Sequence, residues 1–274
     1  MKSETRQRIA SRKRGIEQQL STAVKLNDAG PMLSAAGIRY ELADRVQAIP
    51  HGGIGAIHRL VHSCGLAEQI DRRLHLLKIH APYHESDHVL NIAYNQLCGG
   101  RVLEDIELRR NDVAFLNAIG TASIPDPTTA GDFCRRFTED AIADLEDAIN
   151  AARLTIWRRQ AEEFFSQPAI IDADGALVGT DGECKEGMAL AYNGLWGYHP
   201  LVVSFARTNE PLLVRNRSGN RPSAEGAAGL FDKAIALCRK AGFKDIAATG
   251  RHGLFPDHRA RPLGRRQHSL HLRL

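Results

Sequence analysis

The sequence predicts an α+β fold, in which an N-terminal helical module precedes a mixed α/β segment. Two observations support this prediction. From residue 54 to about residue 165, apolar side chains recur at helical spacing. After Pro168, short apolar runs are separated by glycine, which is typical of strands. With 274 residues, 43% of them hydrophobic, the chain can bury a substantial core.

The helical module contains two strong helix predictions. The first spans residues 86–97, with Ser86 as its cap and the glycines at 99 and 100 as its stop. The second begins at Thr138, where two acidic residues complement the helix dipole. Between them, residues 125–129 form a turn that caps a short helix. The predicted buried stripes are Val89, Ile92, Ala93 and Leu97 in the first helix, and Ile142, Leu145, Ile149 and Ile156 in the second.

Beyond Pro168 the candidate strands are residues 169–174, 188–192, 200–205 and 212–215. A helix follows at residues 223–241, with Ser223 as its cap and Gly242 as its stop, and then a strand at 243–248. This is the order in which a ribonuclease-H-like fold begins. In that fold the first strand and the strand after the helix lie side by side, and each ends in a metal-binding carboxylate.

Composition narrows the class of protein. No apolar run approaches the roughly 20 residues that cross a bilayer, and the first residues contain no apolar core of a signal peptide. A cytoplasmic location without a membrane partner is therefore expected. The five cysteines are odd in number, far apart and never in a C-x-x-C pair. Reduced thiols are predicted, and neither a disulfide framework nor a zinc site.

Basic residues cluster at both ends of the chain, although the net charge is only +4. Near the start, Arg12, Lys13 and Arg14 lie in a polar arm, residues 1–50, that we expect to be loosely packed. Such clusters suit a polyanionic partner, and a solvated basic tail is the alternative.

The main candidate for chemistry is the end of the first strand, Asp172-Ala173-Asp174-Gly175. Because side chains alternate along a strand, Asp172 and Asp174 point to the same face. Carboxylates bind hard divalent cations, and two such cations about 3.5 to 4 Å apart can activate a water or hydroxyl in phosphodiester chemistry. An Asp-x-Asp-Gly sequence also makes a good turn, so the motif by itself leaves both interpretations open.

Three further loops carry polar or aromatic groups. Residues 181–187 form an acidic hairpin tip, where Glu183 and Glu186 could be a glycosidase acid and base or simply solvated. Trp196 lies in an aromatic turn that could stack on an unpaired base or pack onto the sheet. Phosphate contacts are predicted in a basic loop before a helix, at Arg215, Arg217, Asn220 and Arg221.

The histidines at 80, 84 and 88 are spaced four apart, which on a helix would present one metal-binding face. Pro82 interrupts that helix, so a histidine metal site is not expected here.

Several segments together resemble one family. They are residues 83–90, 97–100, 103–106 and 125–133 in the helical module, and 172–175, 181–187, 193–200 and 216–223 beyond it. These ordered motifs are similar to those of DDE-type insertion-sequence transposases, in the group called DDE transposase group 1. The resemblance covers about residues 40–248.

The resemblance implies a ribonuclease-H-like core that uses Mg²⁺ to hydrolyse a phosphodiester at the element's end and join the freed 3′ hydroxyl to target DNA. Asp174 would be the first aspartate of the DDE triad and a metal ligand, with Asp172 as the other choice. The expected partners are the terminal repeats of the element and target DNA, contacted by the basic arm and the basic loop. A homo-oligomer is left open.

The implied organisation has four parts. They are a basic arm at 1–50, a helical DNA-binding or accessory module at 51–165, a partial catalytic core at 166–249, and an aberrant tail rich in arginine and histidine at 250–274. The core is expected to be incomplete at the C-terminus, with an open sheet edge that favours aggregation.

The tail departs from the family pattern. The family's strand leads into a Gly-Asp-x-Asp-Phe stretch with the second catalytic aspartate, whereas this chain has an arginine after Gly250 and only one carboxylate, Asp257, from there on. If residues 250–256 were encoded GGG CGA CAC GGA CTT TTC CC, the frame one base later would give Gly-Asp-Thr-Asp-Phe-Ser. A frameshift after about Ala248 is therefore our hypothesis, and a divergent basic tail is the alternative.

The sequence thus predicts a transposase by descent that lacks the second aspartate and the glutamate and carries out no strand transfer. The alternative is a non-catalytic DNA-binding protein that occupies element ends and inhibits the intact enzyme. A nuclease of the same fold with another purpose would need carboxylates that this chain lacks.

Overall fold

A computed structural model describes residues 7, 10, 11, 13, 14 and 33, then 50–80, 82–182, 185–222 and 225–250, and the backbone of 268–272. Arg12, most of the arm, Glu183, Ser223 and residues 251–267 lie outside these described residues. The chain divides into two compact units, residues 1–153 and 154–274, and each is described by itself.

The first unit is helical, as predicted. The described arm residues 7, 10, 11, 13 and 14 are helical. The helices with described bounds are first α1 (Ile54–Ser63), α2 (Leu66–Arg73) and α3 (Glu85–Leu97). After a 3-10 turn at Leu103–Asp105, it continues with α4 (Ile106–Arg110), α5 (Val113–Ala118) and α6 (Pro127–Cys134). The long helix α7 (Glu139–Trp157) contains the boundary between the units, and the short α8 (Glu162–Ser166) follows it.

The start of α3 differs from the prediction that Ser86 is its cap. The N-cap is His84, whose backbone N–H donates to Asp87 Oδ2 at 2.9 Å. The Ser86 hydroxyl and backbone N–H instead donate to the two carboxylate oxygens of Asp71, at 2.9 and 2.8 Å. A carboxylate from α2 therefore caps this helix, which local sequence could not indicate.

The buried stripe predicted for α3 is only partly right: Val89 and Ile92 pack against core clusters, but Leu97 is 60% exposed. The helix instead buries Leu90 and Tyr94 together with polar side chains. Asn91 donates to the Pro125 carbonyl and Asn95 to the Val102 carbonyl, at 2.9 and 3.0 Å. Hydrogen bonding compensates the desolvation of these amides, so a polar face can be the inner one.

The prediction for α7 is also only partly right, because Leu145 of its predicted stripe packs against a core cluster. The small residues Ala141, Ala148 and Ala152 of this helix are buried, while Ile142 and Ile149 are 37% and 39% exposed. Ala141 and Ala148 belong to a core cluster with Ile70, Leu74 and Phe133. The acidic first turn predicted for this helix is confirmed by Glu139 and Asp140.

Leu33 does not fit the loosely packed arm that we expected. Its side chain is buried among the helices, its backbone N–H donates to Asp87 Oδ1 at 2.7 Å, and its carbonyl accepts from His62 Nε2 at 2.8 Å. This part of the arm is therefore docked on the helical unit.

The second unit contains two sheets. The five-stranded sheet has the order β6-β5-β1-β7-β8, and the three-stranded sheet has the order β2-β4-β3. The strands are β1 (Ala169–Gly175), β2 (Val178–Gly179), β3 (Ala189–Leu190), β4 (Trp196–Tyr198), β5 (Leu201–Phe205), β6 (Glu210–Arg215), β7 (Ile246–Gly250) and β8 (His268–Leu272), with helix α9 (Ala227–Ala241) before β7.

The predicted strands 169–174, 200–205, 212–215 and 243–248 correspond to β1, β5, β6 and β7 of the large sheet, whereas the predicted strand 188–192 is reduced to β3 of the small sheet. Helix α9 stops at Gly242 as predicted, but it begins at Ala227 with Gly226 as its N-cap, four residues later than predicted. β5 is antiparallel to β1, and β7 is parallel to β1 on its other side. Strands β2 and β4 were not predicted, because each has only two or three residues and β4 contains a glycine. At that glycine, Gly197, a Cβ would lie 2.0 Å from the Val178 carbonyl oxygen, so only glycine permits this crossing.

The core of the second unit lies between the large sheet and helix α9. Alternate residues of β1 and β5 are buried with the apolar stripe of α9, which includes Leu230, Phe231, Ala234 and Cys238. At one end, the rings of Trp157, Phe164, Phe205 and Phe243 pack together with centroids 4.9 to 6.1 Å apart.

The open sheet edge expected beside β7 is covered in the structure. Strand β8 pairs antiparallel with all five residues of β7, from Ile246 with Leu272 to Gly250 with His268. The tail therefore supplies the edge strand of the sheet, which satisfies backbone groups that would otherwise be unpaired.

Candidate functional site

The candidate active site is the outer face of β1. Ala169, Ile171 and Ala173 are buried against the core, so the intervening Asp172 and Asp174 lie on the opposite face. Both aspartates are half-buried. The strand thus holds two carboxylates on one side of the sheet, as its alternation requires.

Asp172 is held by the neighbouring parallel strand. Its register partner on β7 is Thr249, whose hydroxyl donates to Asp172 Oδ1 at 2.8 Å. On the other side it pairs with Ser204 of β5. A hydrogen bond from a fixed hydroxyl orients one oxygen of this carboxylate.

Asp174 lies two residues nearer the end of β1. It pairs with Val202 of β5, and its Oδ1 accepts from the backbone N–H of Gly175 at 2.9 Å. The last printed pair between β1 and β7 is Ala173 with Gly250, so Asp174 lies one step beyond the described part of β7.

These residues do not fit a two-metal centre. Within the part of the chain that the structure describes, no group of three or more His, Cys, Asp and Glu side chains could hold a metal ion. β7 ends in Thr249 and Gly250, which contribute no carboxylate. Two carboxylates on one strand can supply some ligands of one hard cation, but a two-metal site needs carboxylates from further elements.

A buried histidine that the sequence analysis missed closes the end of β1 on its core face. His199 is 7% exposed, and a Cβ placed on Gly175 would lie 2.5 Å from its Nε2. Its Nδ1 lies 3.0 Å from the Arg221 carbonyl, which can only accept, so Nδ1 carries the proton. The glycine at the strand end was the signal, because it leaves room for the imidazole.

Arg217 donates hydrogen bonds to backbone carbonyls around His199. Its Nε donates to the His199 carbonyl at 2.9 Å, and one terminal nitrogen donates to the Pro222 and Glu225 carbonyls at 3.1 and 2.8 Å. Burial lowers the pKa of Arg217, and Glu225 opposes this effect. The guanidinium that was predicted to contact phosphate therefore donates to three carbonyls of the same chain.

The other predicted DNA contacts have different surroundings. Arg221 and Asn220 are exposed, although Arg221 forms an ion pair with Glu225 at 3.0 Å. Arg215 is half-buried at the end of β6, and Trp196 is 55% exposed on β4. In the first unit, Lys13 and Arg14 are exposed.

The histidines at 80, 84 and 88 are not brought together on one face. His80 stacks on His84 with ring centroids 5.2 Å apart and contacts Glu85 at 3.2 Å. His88 stacks on Phe133 instead, at 4.5 Å.

Comparison with protein families identifies the chain. The profile of the family described as transposase DDE domain group 1 matches residues 46–246. The chain belongs to this transposase family. Comparisons with curated proteins and with solved structures yield no match.

Membership of this transposase family implies DNA as the partner and a divalent metal as the family's cofactor. The matched segment includes Asp172, Asp174 and the loop from Arg215 to Arg221. Within the described residues, no helix is long and apolar enough to cross a membrane.

Proposed function

We propose that this chain is an insertion-sequence transposase by descent that binds element-end DNA but carries out no cleavage or strand transfer. The observation behind the proposal is the end of β7, where Thr249 and Gly250 stand beside Asp172 and Ala173 of β1. A two-metal mechanism needs a second carboxylate at this place, and the described strand has none.

A ribonuclease-H-like core is part of the proposal. The order β6-β5-β1-β7, with β5 antiparallel and β7 parallel to β1, is the order expected for the first strands of that fold. Helix α9 precedes β7 and covers one face of the sheet, which leaves Asp172 and Asp174 on the other.

Asp174 is the proposed first metal ligand, with Mg²⁺ as the metal. One oxygen of each aspartate accepts a hydrogen bond, but Asp174 lies at the end of its strand, beyond the pairing with β7, whereas Asp172 lies within that pairing and is held by Thr249. Asp172 then shapes the site beside the ligand. The catalytic step itself would need ligands that the described residues do not supply, so we derive no step through the metal.

The replaced tail explains the missing carboxylate. We infer that the gene changes frame after about Ala248, as the arginine-rich composition beyond it suggests. The nucleotide sequence of residues 250–256 tests this inference. A gene with no Gly-Asp-x-Asp-Phe stretch in either alternative frame would contradict it.

DNA contact is proposed for Arg221, Asn220, Arg215 and Trp196 in the second unit, and for the arm around Lys13 and Arg14, with Arg12 beside them. Arg217 is not among these contacts, because it holds its own loop. Cations that neutralise phosphates give binding that weakens steeply with salt.

A cleavage assay on element-end DNA with Mg²⁺ tests the inactivity. We expect no product from this chain, and cleavage from a matched version whose codons after Ala248 are read in the alternative frame. Robust cleavage by the chain itself would refute the proposal. No cleavage by the matched version would refute the frameshift explanation.

A second candidate function is inhibition of an intact transposase. It is favoured because the exposed DNA-contact candidates remain while the second carboxylate is lost. An excess of this chain should then reduce cleavage by the version with the restored frame, in proportion to the occupancy of element ends. Inhibition by Arg221→Ala should be weaker.

A further inference from the structure

A cavity of about 210 Å³ opens in the helical unit, where two motifs of the sequence meet. One motif, residues 83–90, begins helix α3, and the other, residues 125–133, forms helix α6. The polar side chains that line the cavity are Tyr83, His88, Thr129, Asp132 and, just after α6, Arg136.

Aromatic rings form one wall of the cavity. His88 lies parallel to Phe133, with an interplanar angle of 11° and centroids 4.5 Å apart. Tyr83 stands edge-on to His88 at 5.9 Å. A planar ring entering the cavity can extend this arrangement by offset or edge-to-face contact.

The imidazole in this wall is neutral at physiological pH. His88 is 4% exposed, and its Nδ1 is buried without a hydrogen-bond partner among the described residues. Burial lowers its pKa to about 4, against the effect of Glu85 and together with that of Arg136. A neutral wall favours an uncharged ring over a phosphate.

Two charged side chains at the cavity can hydrogen-bond to a ligand, Arg136 as a donor and Asp132 as an acceptor. The Arg136 guanidinium supplies donors, one of which reaches the Leu76 carbonyl at 3.4 Å. The Asp132 carboxylate supplies acceptors and also contacts Arg135. Arginine donates to O6 and N7 of guanine, and a carboxylate can accept from the N–H groups on the opposite edge of that base.

We propose that this cavity binds one unstacked guanine of the DNA. Pockets for drug-sized ligands are about 300 to 1,000 Å³, so this smaller one suits a single ring system. The proposal rests on the proposed DNA-binding function, because the bound strand supplies the base. It adds a site in the helical unit, away from the carboxylates of β1 in the sequence.

Guanosine is the probe for the site. Saturation-transfer NMR with the full chain should show transfer to the base proton, with weaker signals from adenosine, cytidine and thymidine. Tyr83→Ala and Arg136→Ala should each weaken guanosine binding about tenfold, which is the usual contribution of one aromatic stack or charged contact. Tyr83→Phe keeps the ring and should retain binding.

Arg110→Ala is the matched control, since Arg110 pairs with Glu107 and does not line the cavity. Binding lost equally in this control, or four nucleosides bound alike, would overturn the proposal.

Fluorescence anisotropy with labelled element-end DNA is measured in parallel. DNA binding without guanosine binding refutes the cavity alone, whereas guanosine binding without DNA binding supports the cavity and contradicts the proposed function.

Discussion

The hydroxyl of Thr249 donates to Asp172 Oδ1 at 2.8 Å, across the parallel pair of β7 and β1. The two residues are 77 positions apart in the sequence and are direct neighbours in the sheet. This bond links the strand that carries the candidate metal ligands to the strand that should carry the second carboxylate. The effect of this bond on stability can therefore be measured without a catalytic assay.

Thr249→Val should lower the free energy of unfolding by about 1 to 2 kcal/mol, because the half-buried Asp172 loses its donor. Urea denaturation measures the change. Thr249→Ser keeps the hydroxyl and should be much closer to the parent. Full stability in Thr249→Val together with a loss in Thr249→Ser would show that the methyl packing, and not the hydrogen bond, is what stabilises this pair.

Gly175→Ala should destabilise the second unit by about 1 to 3 kcal/mol, because its Cβ would lie 2.5 Å from the His199 imidazole. The matched control is Gly229→Ala in α9, where a Cβ meets nothing within 4 Å. That change should stabilise the helix by up to about 1 kcal/mol. If Gly175→Ala left the free energy of unfolding unchanged, this result would contradict the packing of His199 against this glycine.

The stability of the helical unit should fall in acid because of His88. Its pKa in the folded chain is about 4, below the ordinary value of 6.5, since burial disfavours the charged form. Its contribution is fully present above pH 6.5 and is lost as the pH falls toward 4. Thermal melts of His88→Gln should show a flatter dependence on pH over this window. His75→Gln, at an exposed position, should keep the parent slope.

Asp87→Ala should cost about 2 to 4 kcal/mol, because the buried backbone N–H of Leu33 and that of His84 both lose a carboxylate acceptor. The same change at Asp144, an exposed position on α7, should stay within about 0.5 kcal/mol. Hydrogen exchange at the Leu33 amide gives a second readout. Unchanged protection there would contradict its docking on α3.

Arg221→Ala should weaken binding to element-end DNA. The slope of log K against log salt concentration should become shallower by the amount that corresponds to about one phosphate contact. Arg158→Ala removes the same charge from an exposed position outside the basic loop and serves as the control. Fluorescence anisotropy at several salt concentrations provides both affinity and slope. Equal effects of the two changes would mean that net charge, and not the loop, determines the binding.

Much of the fold could be predicted from local patterns. The strand order after Pro168, the helix that precedes β7 and the acidic start of α7 are all confirmed. The buried faces of α3 and α7 could not be fully predicted. A prediction from apolar spacing assigns leucine and isoleucine to the core in preference to asparagine and alanine. Asn91 and Asn95 are inside since distant carbonyls, at Pro125 and Val102, accept from their amides.

Local sequence was enough to place Asp172 and Asp174 on one face of a strand, because that depends only on the alternation of side chains. It also determined the family, through motifs spread along the matched segment. Three contacts became visible only in the folded chain: Thr249 donates to Asp172, His199 lies against Gly175, and Arg217 donates to carbonyls of its own loop. These contacts join residues far apart in the chain, so their partners exist only once the sheet has formed.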